Sequence, residues 1–277
     1  MTSPEHVSLS TDLHVRRAGR SDGEAPPMLF LHGLTDSGSG WPGAERHWGS
    51  TYSIVTIDQR GHGGSPRFTK EQLEAHPGEV MVDDAIDILD QLGAPAVVVG
   101  HSLGGAVALA AAVRRPELVR VLVLEDPAPL GPDDLQRDPS RGDAFLSGVQ
   151  ESLSARDDAE LFRIRRQSRA DWPEDELLVT GRAERQTDLA YLAHGDIKPT
   201  SRWPELFEKV AVPTLVVSGD AMAEVCITDD VQRGIAEIAN PHVELVRVPG
   251  AGHCIRREQP DAYYDAVDAF LVRHLGG

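Results

Sequence analysis

Apolar residues in this chain gather into short, near-continuous runs at 28–31, 54–57, 96–99, 121–124, 215–217 and 243–248. Runs of that length, apolar on both sides, suit parallel strands covered on both faces. Between several of them the spacing becomes helical. In 79–92, Val82, Ile86 and Leu89 recur at helical intervals, and Asp83, Asp87 and Asp90 repeat that spacing one position on. This predicts an amphipathic helix with a solvated acidic face. Further helices are predicted over 103–115, where Pro116 stops the pattern, over 229–239 and over 261–275. Alternating strands and helices imply a mostly parallel sheet with helices on both faces. Residues up to about Pro27 read as a hairpin leading into it.

The alternation breaks between 127 and 213, where charges, Trp172, Tyr191 and Trp203 accompany helical stretches without a strand pattern. A long ordered insertion between two sheet strands suits a lid over a site. The expected organisation is a core of 1–126 and 214–277, interrupted by a helical cap of 127–213.

The most specific local signal is Gly100-His101-Ser102-Leu103-Gly104. An apolar strand pattern runs directly into it, and a small-residue helix pattern runs directly out. A strand turning sharply into a helix strains the middle residue and lifts its side chain above the sheet, beside unpaired helix amides. That frame makes Ser102 a candidate nucleophile. A serine hydroxyl needs a base to take its proton and a carboxylate to orient that base. His253, in the glycine-rich loop after 243–248, is the candidate base. Two acids follow apolar runs, in Glu125-Asp126-Pro127 and in Ser218-Gly219-Asp220. Both sit where parallel sheets place their sites. Two N–H groups must hold the developing oxyanion. Leu103, just past the nucleophile, offers one, and Leu34, in the loop after the first apolar run, offers the other. His32, in the same loop, is expected to shape it through hydrogen bonds and not to act as a base. Trp41 and Trp172 are candidates for contact with an apolar part of a substrate, or for packing.

The net charge of −17 repels phosphates and anionic lipid surfaces, which argues against nucleic acid and membrane partners and points to a small-molecule substrate. Hydrophobic residues make up 40% and charged residues 26%, a globular composition. Neither a secretory leader nor an apolar stretch of about 18 residues is visible, and the two cysteines, Cys226 and Cys254, form no CxxC pair. A cytoplasmic monomer or homodimer is expected. Cys254 is placed to line the pocket. No HExxH motif or clustered metal-ligand spacing is present, and neither a metal nor another cofactor is expected.

Four segments in order resemble the α/β-hydrolase superfamily: Leu31-His32-Gly33, Asp58-Gln59-Arg60-Gly61-His62-Gly63-Gly64-Ser65, Gly100–Gly104, and Gly252-His253. The resemblance spans nearly the whole chain. It implies an α/β fold with an eight-stranded, mostly parallel sheet, a helical cap after the sixth strand, and acyl transfer without a cofactor. In it, 58–65 is a structural loop. Many relatives carry the acid three residues after the glycine closing the seventh strand, where this chain has Met222; Asp220 and Glu224 flank that position. Leu124-Glu125-Asp126-Pro127-Ala128 resembles relatives whose acid follows the sixth strand. Asp126 is therefore the first choice, Asp220 the alternative, and Glu224 or Glu125 come after. Serine at 102 separates the chain from the similar haloalkane dehalogenases and epoxide hydrolases, which carry Asp there. The expected activity is cleavage of a carboxylic ester, lactone or thioester. Carbon–carbon bond hydrolysis, acyl transfer to an alcohol, and a non-catalytic receptor are the competitors.

Overall fold

The computed structural model describes residues 9–128, 139–194, 199–221 and 225–276. Its first half contains β1 (Val15–Gly19), β2 (Pro27–Leu31), α1 (Pro42–Trp48), β3 (Ser53–Ile57), α2 (Lys70–Ala75), α3 (Pro77–Gln91), β4 (Ala96–His101), α4 (Leu103–Arg114) and β5 (Val119–Glu125). Among the described residues, five helices follow without a strand: α5 (Pro139–Ser154), α6 (Asp158–Ser168), α7 (Glu174–Arg185), α8 (Leu189–His194) and α9 (Trp203–Lys209). The chain then returns through β6 (Thr214–Gly219), α10 (Asp229–Ile238), β7 (Val243–Val248), α11 (Ile255–Glu258) and α12 (Pro260–Leu275).

The strands form one sheet in the order β1-β3-β2-β4-β5-β6-β7. β1 runs antiparallel to β3, and every other pair is parallel. This is the α/β-hydrolase fold, with seven strands among the described residues where the resemblance implied eight. The expected N-terminal hairpin is corrected. Residues 1–8 lie outside the described residues, and 9–27 hold one complete strand, β1, paired with β3 and not with its sequence neighbour β2. The reason is polarity. The Val-Arg-Arg-Ala-Gly strand is half-exposed and belongs at an edge, whereas Pro-Met-Leu-Phe-Leu is buried and takes an interior place.

Successive side chains of a strand face opposite ways, so the apolar runs feed two cores. Leu29, Leu31, Val55, Ile57, Val98, Leu122, Leu124 and Val216 pack against α3 and α4 on one face. Met28, Phe30, Ile54, Val97, Val99, Val121, Val123, Leu215 and Val217 pack against α1 and α12 on the other. α3 follows its sequence pattern, burying Val82 and Leu89 and exposing Asp83, Asp87 and Asp90. The loop after β3 is a bracket. Asp58 accepts N–H bonds from Gly38 at 2.7 Å and Gly64 at 2.8 Å, and Arg60 pairs with Asp84 at 2.9 Å. These bonds fix the loops around the C-terminal edge of β2 and β3. The helices α5–α9 lie between β5 and β6, within the span expected to form a cap.

Candidate active site

Ser102 closes β4 and opens α4, at φ 52° and ψ −116°. A non-glycine residue there is strained, and the neighbours hold it in place. Its N–H donates to the Glu125 carbonyl at 3.0 Å, and its own carbonyl accepts N–H bonds from Ala106 and Ala128. Two glycines make the approach possible. A Cβ on Gly104 would collide with the Leu31 and His32 carbonyls, and one on Gly33 would lie 2.8 Å from His101 Nδ1 and 3.2 Å from Ser102 Cβ. The loop after β2 therefore lies directly against the nucleophile elbow.

Asp126, at φ 39° just past β5, is fully buried. Its carboxylate accepts the Cys226 N–H at 2.7 Å, the Ile227 N–H at 2.9 Å and His253 Nδ1–H at 2.5 Å. That leaves the second imidazole nitrogen for proton transfer. Burial by itself lowers the pKa of His253, but the Cys226 sulfur and the Asp126 carboxylate outweigh it and hold it well above the ordinary imidazole value.

The other candidate acids are occupied differently. Asp220 accepts the Gly250 N–H at 2.7 Å and braces the loop that carries His253. Glu125 is buried and gives both oxygens to Arg256, one to its N–H at 2.8 Å and one to Nη1 at 2.6 Å. Glu224 lies outside the described residues.

Leu103 is the first residue of α4, so its N–H has no partner within the helix. The Leu34 N–H has no acceptor among the described residues, and Leu34 lines the same cavity as Ser102. His32 is buried. Its Nδ1–H donates to the Gly33 carbonyl at 2.8 Å, and its Nε2 accepts the Gln59 N–H at 2.9 Å. Burial lowers its pKa, so the neutral ring pins the loop. His62 stands edge-on to it and is pushed down to about 3, again by burial.

Ser102 and His253 line one cavity of about 290 Å³, with Leu34, Thr35, His101, Val149, Trp172 and Cys254 among its walls. Trp172, in the turn between α6 and α7, is on this wall. Trp41 is not: it is fully buried, 4.9 Å from the Phe30 ring and under the Arg256 guanidinium at 4.0 Å. The substrate-contact expectation for Trp41 is thus corrected, because its indole is consumed by packing beneath the site.

Sequence reasoning missed several residues here. His101 donates Nε2–H to the His253 carbonyl at 3.1 Å, and the two rings lie tilted at 43° with centroids 4.7 Å apart. Burial keeps it neutral, its pKa well below the ordinary imidazole value. Arg257 is almost wholly buried. It bonds Asp36 of the Leu34 loop at 2.7 Å, the Gly40 carbonyl at 3.1 Å and Glu176 of α7, so one side chain ties three elements together. Nothing short-range in the sequence marks such a contact. Ligand atoms of Asp126, Cys226 and His253 lie within 4.8 Å of one another, near enough to share a metal ion, although the carboxylate and imidazole already bond each other.

With this geometry in view, comparison with known proteins places the chain. A profile described as "Alpha/beta hydrolase family" matches residues 28–266. The chain is 29% identical to the sn-1-specific diacylglycerol lipase ABHD11 of Mus musculus, over 91% of this chain and 83% of that protein. It is 26% identical to the 2-(acetamidomethylene)succinate hydrolase of Mesorhizobium japonicum, over 91% of this chain and 90% of that protein. A crystal structure of E-2-(acetamidomethylene)succinate hydrolase superposes with a TM-score of 0.74 at 23% identity, covering 94% of each chain.

Proposed function

We infer that this chain, which belongs to the alpha/beta hydrolase family, is a serine hydrolase that cleaves a carboxylic ester, lactone or thioester of a small molecule. The observation that carries the reading is the 2.5 Å bond between His253 and Asp126 beside a cavity that Ser102 also lines. His253 takes the Ser102 proton as Oγ bonds the carbonyl carbon. Asp126 stabilises the imidazolium, and the Leu34 and Leu103 N–H groups receive the negative charge on the carbonyl oxygen. When the intermediate collapses, His253 returns the proton to the departing oxygen or sulfur, leaving an acyl-serine. Water, deprotonated by the same imidazole, then releases the acid.

The relatives' names span a lipid and a succinate derivative, so kinship alone does not choose a substrate. A fluorophosphonate probe tests the serine chemistry: the native protein should be labelled and Ser102→Ala should not. Turnover of an ester, lactone, thioester and diketone panel then ranks the bond cleaved. Absence of labelling together with absence of turnover overturns the reading in favour of a receptor.

A further inference from the structure

The wall of the cavity opposite Ser102 has an unusual charge arrangement. Three guanidinium carbons surround the Trp172 ring, those of Arg257 at 4.7 Å, Arg169 at 5.3 Å and Arg165 at 5.9 Å from its centroid. All three arginines line the cavity that holds Ser102 and His253. Two have carboxylates. Arg165 pairs with Glu184 at 2.9 Å, and Arg257 pairs with Asp36 and Glu176. Arg169 makes no direct ion pair among the described residues and only shares the field of Glu184, which Arg165 already pairs, although the chain as a whole has 44 acidic side chains against 27 basic ones. It is exposed and caps the C-terminus of α6, where the helix dipole favours a cation. Trp172 is buried beneath it, so the indole holds the guanidinium in place.

The rest of the lining fits the same picture. Leu34, Val149 and Trp172 are the larger apolar side chains of the wall, and Thr35, Asp36, Thr180 and Glu184 stand among them. Among the described residues, a cavity of about 290 Å³ with this lining offers no long apolar slot for a fatty acyl chain.

We propose that the substrate carries a carboxylate away from the scissile bond, and that Arg169 receives it against the face of Trp172. The inference rests on the serine-hydrolase reading for the identity of the reacting bond, but not for the recognition of the anion. A planar guanidinium binds a carboxylate through two parallel N–H bonds. Docked there, the anion would orient the carbonyl toward Ser102 and the oxyanion donors, and select short half-esters of dicarboxylic acids over neutral esters of the same length.

The test compares 4-nitrophenyl monoesters of glutaric and adipic acid with 4-nitrophenyl pentanoate and hexanoate. Native protein should show higher kcat/KM on the acidic members. Arg169→Gln should lose about 10- to 100-fold on those and change by less than about twofold on the neutral ones. The substitution is at an exposed position, and an unchanged melting temperature will show that the fold is kept. Equal losses on both ester classes, or a native preference for the neutral esters, would overturn the proposal. A second measurement separates it from the hydrolase reading. Calorimetric titration of Ser102→Ala with mono-4-nitrophenyl adipate should show binding that Arg169→Gln, added to the same background, abolishes. If no ester is turned over but this binding pattern holds, the hydrolase reading fails and the anion site stands. If Ser102→Ala binds the acidic and neutral esters alike, the anion site fails.

Discussion

On the floor of the cavity, Ser102, Asp126 and His253 sit at the ends of strands or in loops whose backbone bonds and buried neighbours leave little freedom. The roof, contributed by α5–α7, is held differently. It meets the core through Glu176 on Arg257, Asp175 on Arg46, and the Gln186 carbonyl on Arg67 at 2.6 Å, with a small apolar cluster of Trp172, Leu177 and Cys254. Beyond the roof, α8 and α9 return to apolar packing, with Tyr191, Leu206 and Phe207 joined to the core under one sheet face. Charge contacts cost little to rearrange where they are exposed, as between Asp175 and Arg46, whereas the Glu176–Arg257 pair is buried and, like a close-packed interior, does not deform gradually. We propose that the floor fixes the chemistry and that the exposed contacts of the roof leave room to vary what is recognised.

The sharpest way to break that division is at the floor. Ser102→Ala should lower kcat/KM on any turned-over ester by at least about 10⁴-fold, because it removes the attacking atom itself. The melting temperature should hold, since the change takes away one half-buried hydroxyl at a strained position. Retention of activity would mean that the reacting group is elsewhere.

Next in size is the contrast between two carboxylates that sequence reasoning left in competition. Asp126→Asn should lose about 10³- to 10⁴-fold in kcat, because an amide can present an N–H to His253 and favour the wrong tautomer. Asp220→Asn should leave kcat within a few-fold of native and lower stability by about 1 kcal/mol through its bond to Gly250. Steady-state kinetics and urea unfolding read the two effects separately. Reversal of the pattern would exchange their roles.

That competition shows where sequence stopped informing. The elbow at Ser102 was legible because strand, turn and helix are contiguous and the glycines are dictated by local clashes. The parallel strands were legible as apolar runs, but their order in the sheet was not, and the partner of β1 is set by the polarity of Arg16 and Arg17 and not by proximity along the chain. Asp126 and Asp220 both follow strands, and only the folding of the His253 loop over β5 and β6 distinguishes the one that faces the ring from the one that holds the backbone. Trp41 and Trp172 were equivalent as letters. One packs on Phe30 of the interior strand β2, and the other lies among arginines of α6, its C-terminal cap and α11, with Trp172 and Arg257 85 positions apart in the chain. Arrangements built from such distant partners leave no local pattern to read.

A smaller effect is expected where roof meets floor. Glu176→Gln removes one of the two carboxylates facing the buried Arg257 guanidinium, and Asp36 remains. Breaking a buried pair outright costs about 3–5 kcal/mol, so the loss here should fall below that range. Because the contact joins α7 to α11 and not to the reacting atoms, KM should rise more than kcat falls. A fall in kcat as large as that of Asp126→Asn would show that the roof takes part in the chemistry, and the division between the two regions would not hold.

The least disruptive probe is proton affinity at His253. The imidazole must be neutral to accept the Ser102 proton, and kcat/KM reports the free enzyme. Burial acts to lower its pKa, but Cys226 and Asp126 raise it overall, so the cationic, inactive form persists to higher pH. Activity should therefore climb with pH through a midpoint on the alkaline side of 6.5. Cys226→Ala keeps the backbone N–H that donates to Asp126 and removes only the sulfur. With one of the raising influences gone, the midpoint should move to lower pH, and relative activity near neutrality should increase. A pH–rate profile of the two proteins decides it. A midpoint that stays in place would make the sulfur a bystander, and one that moves to higher pH would reverse the assigned sign. Only the first of these results would leave the raised base governed by the floor carboxylate alone.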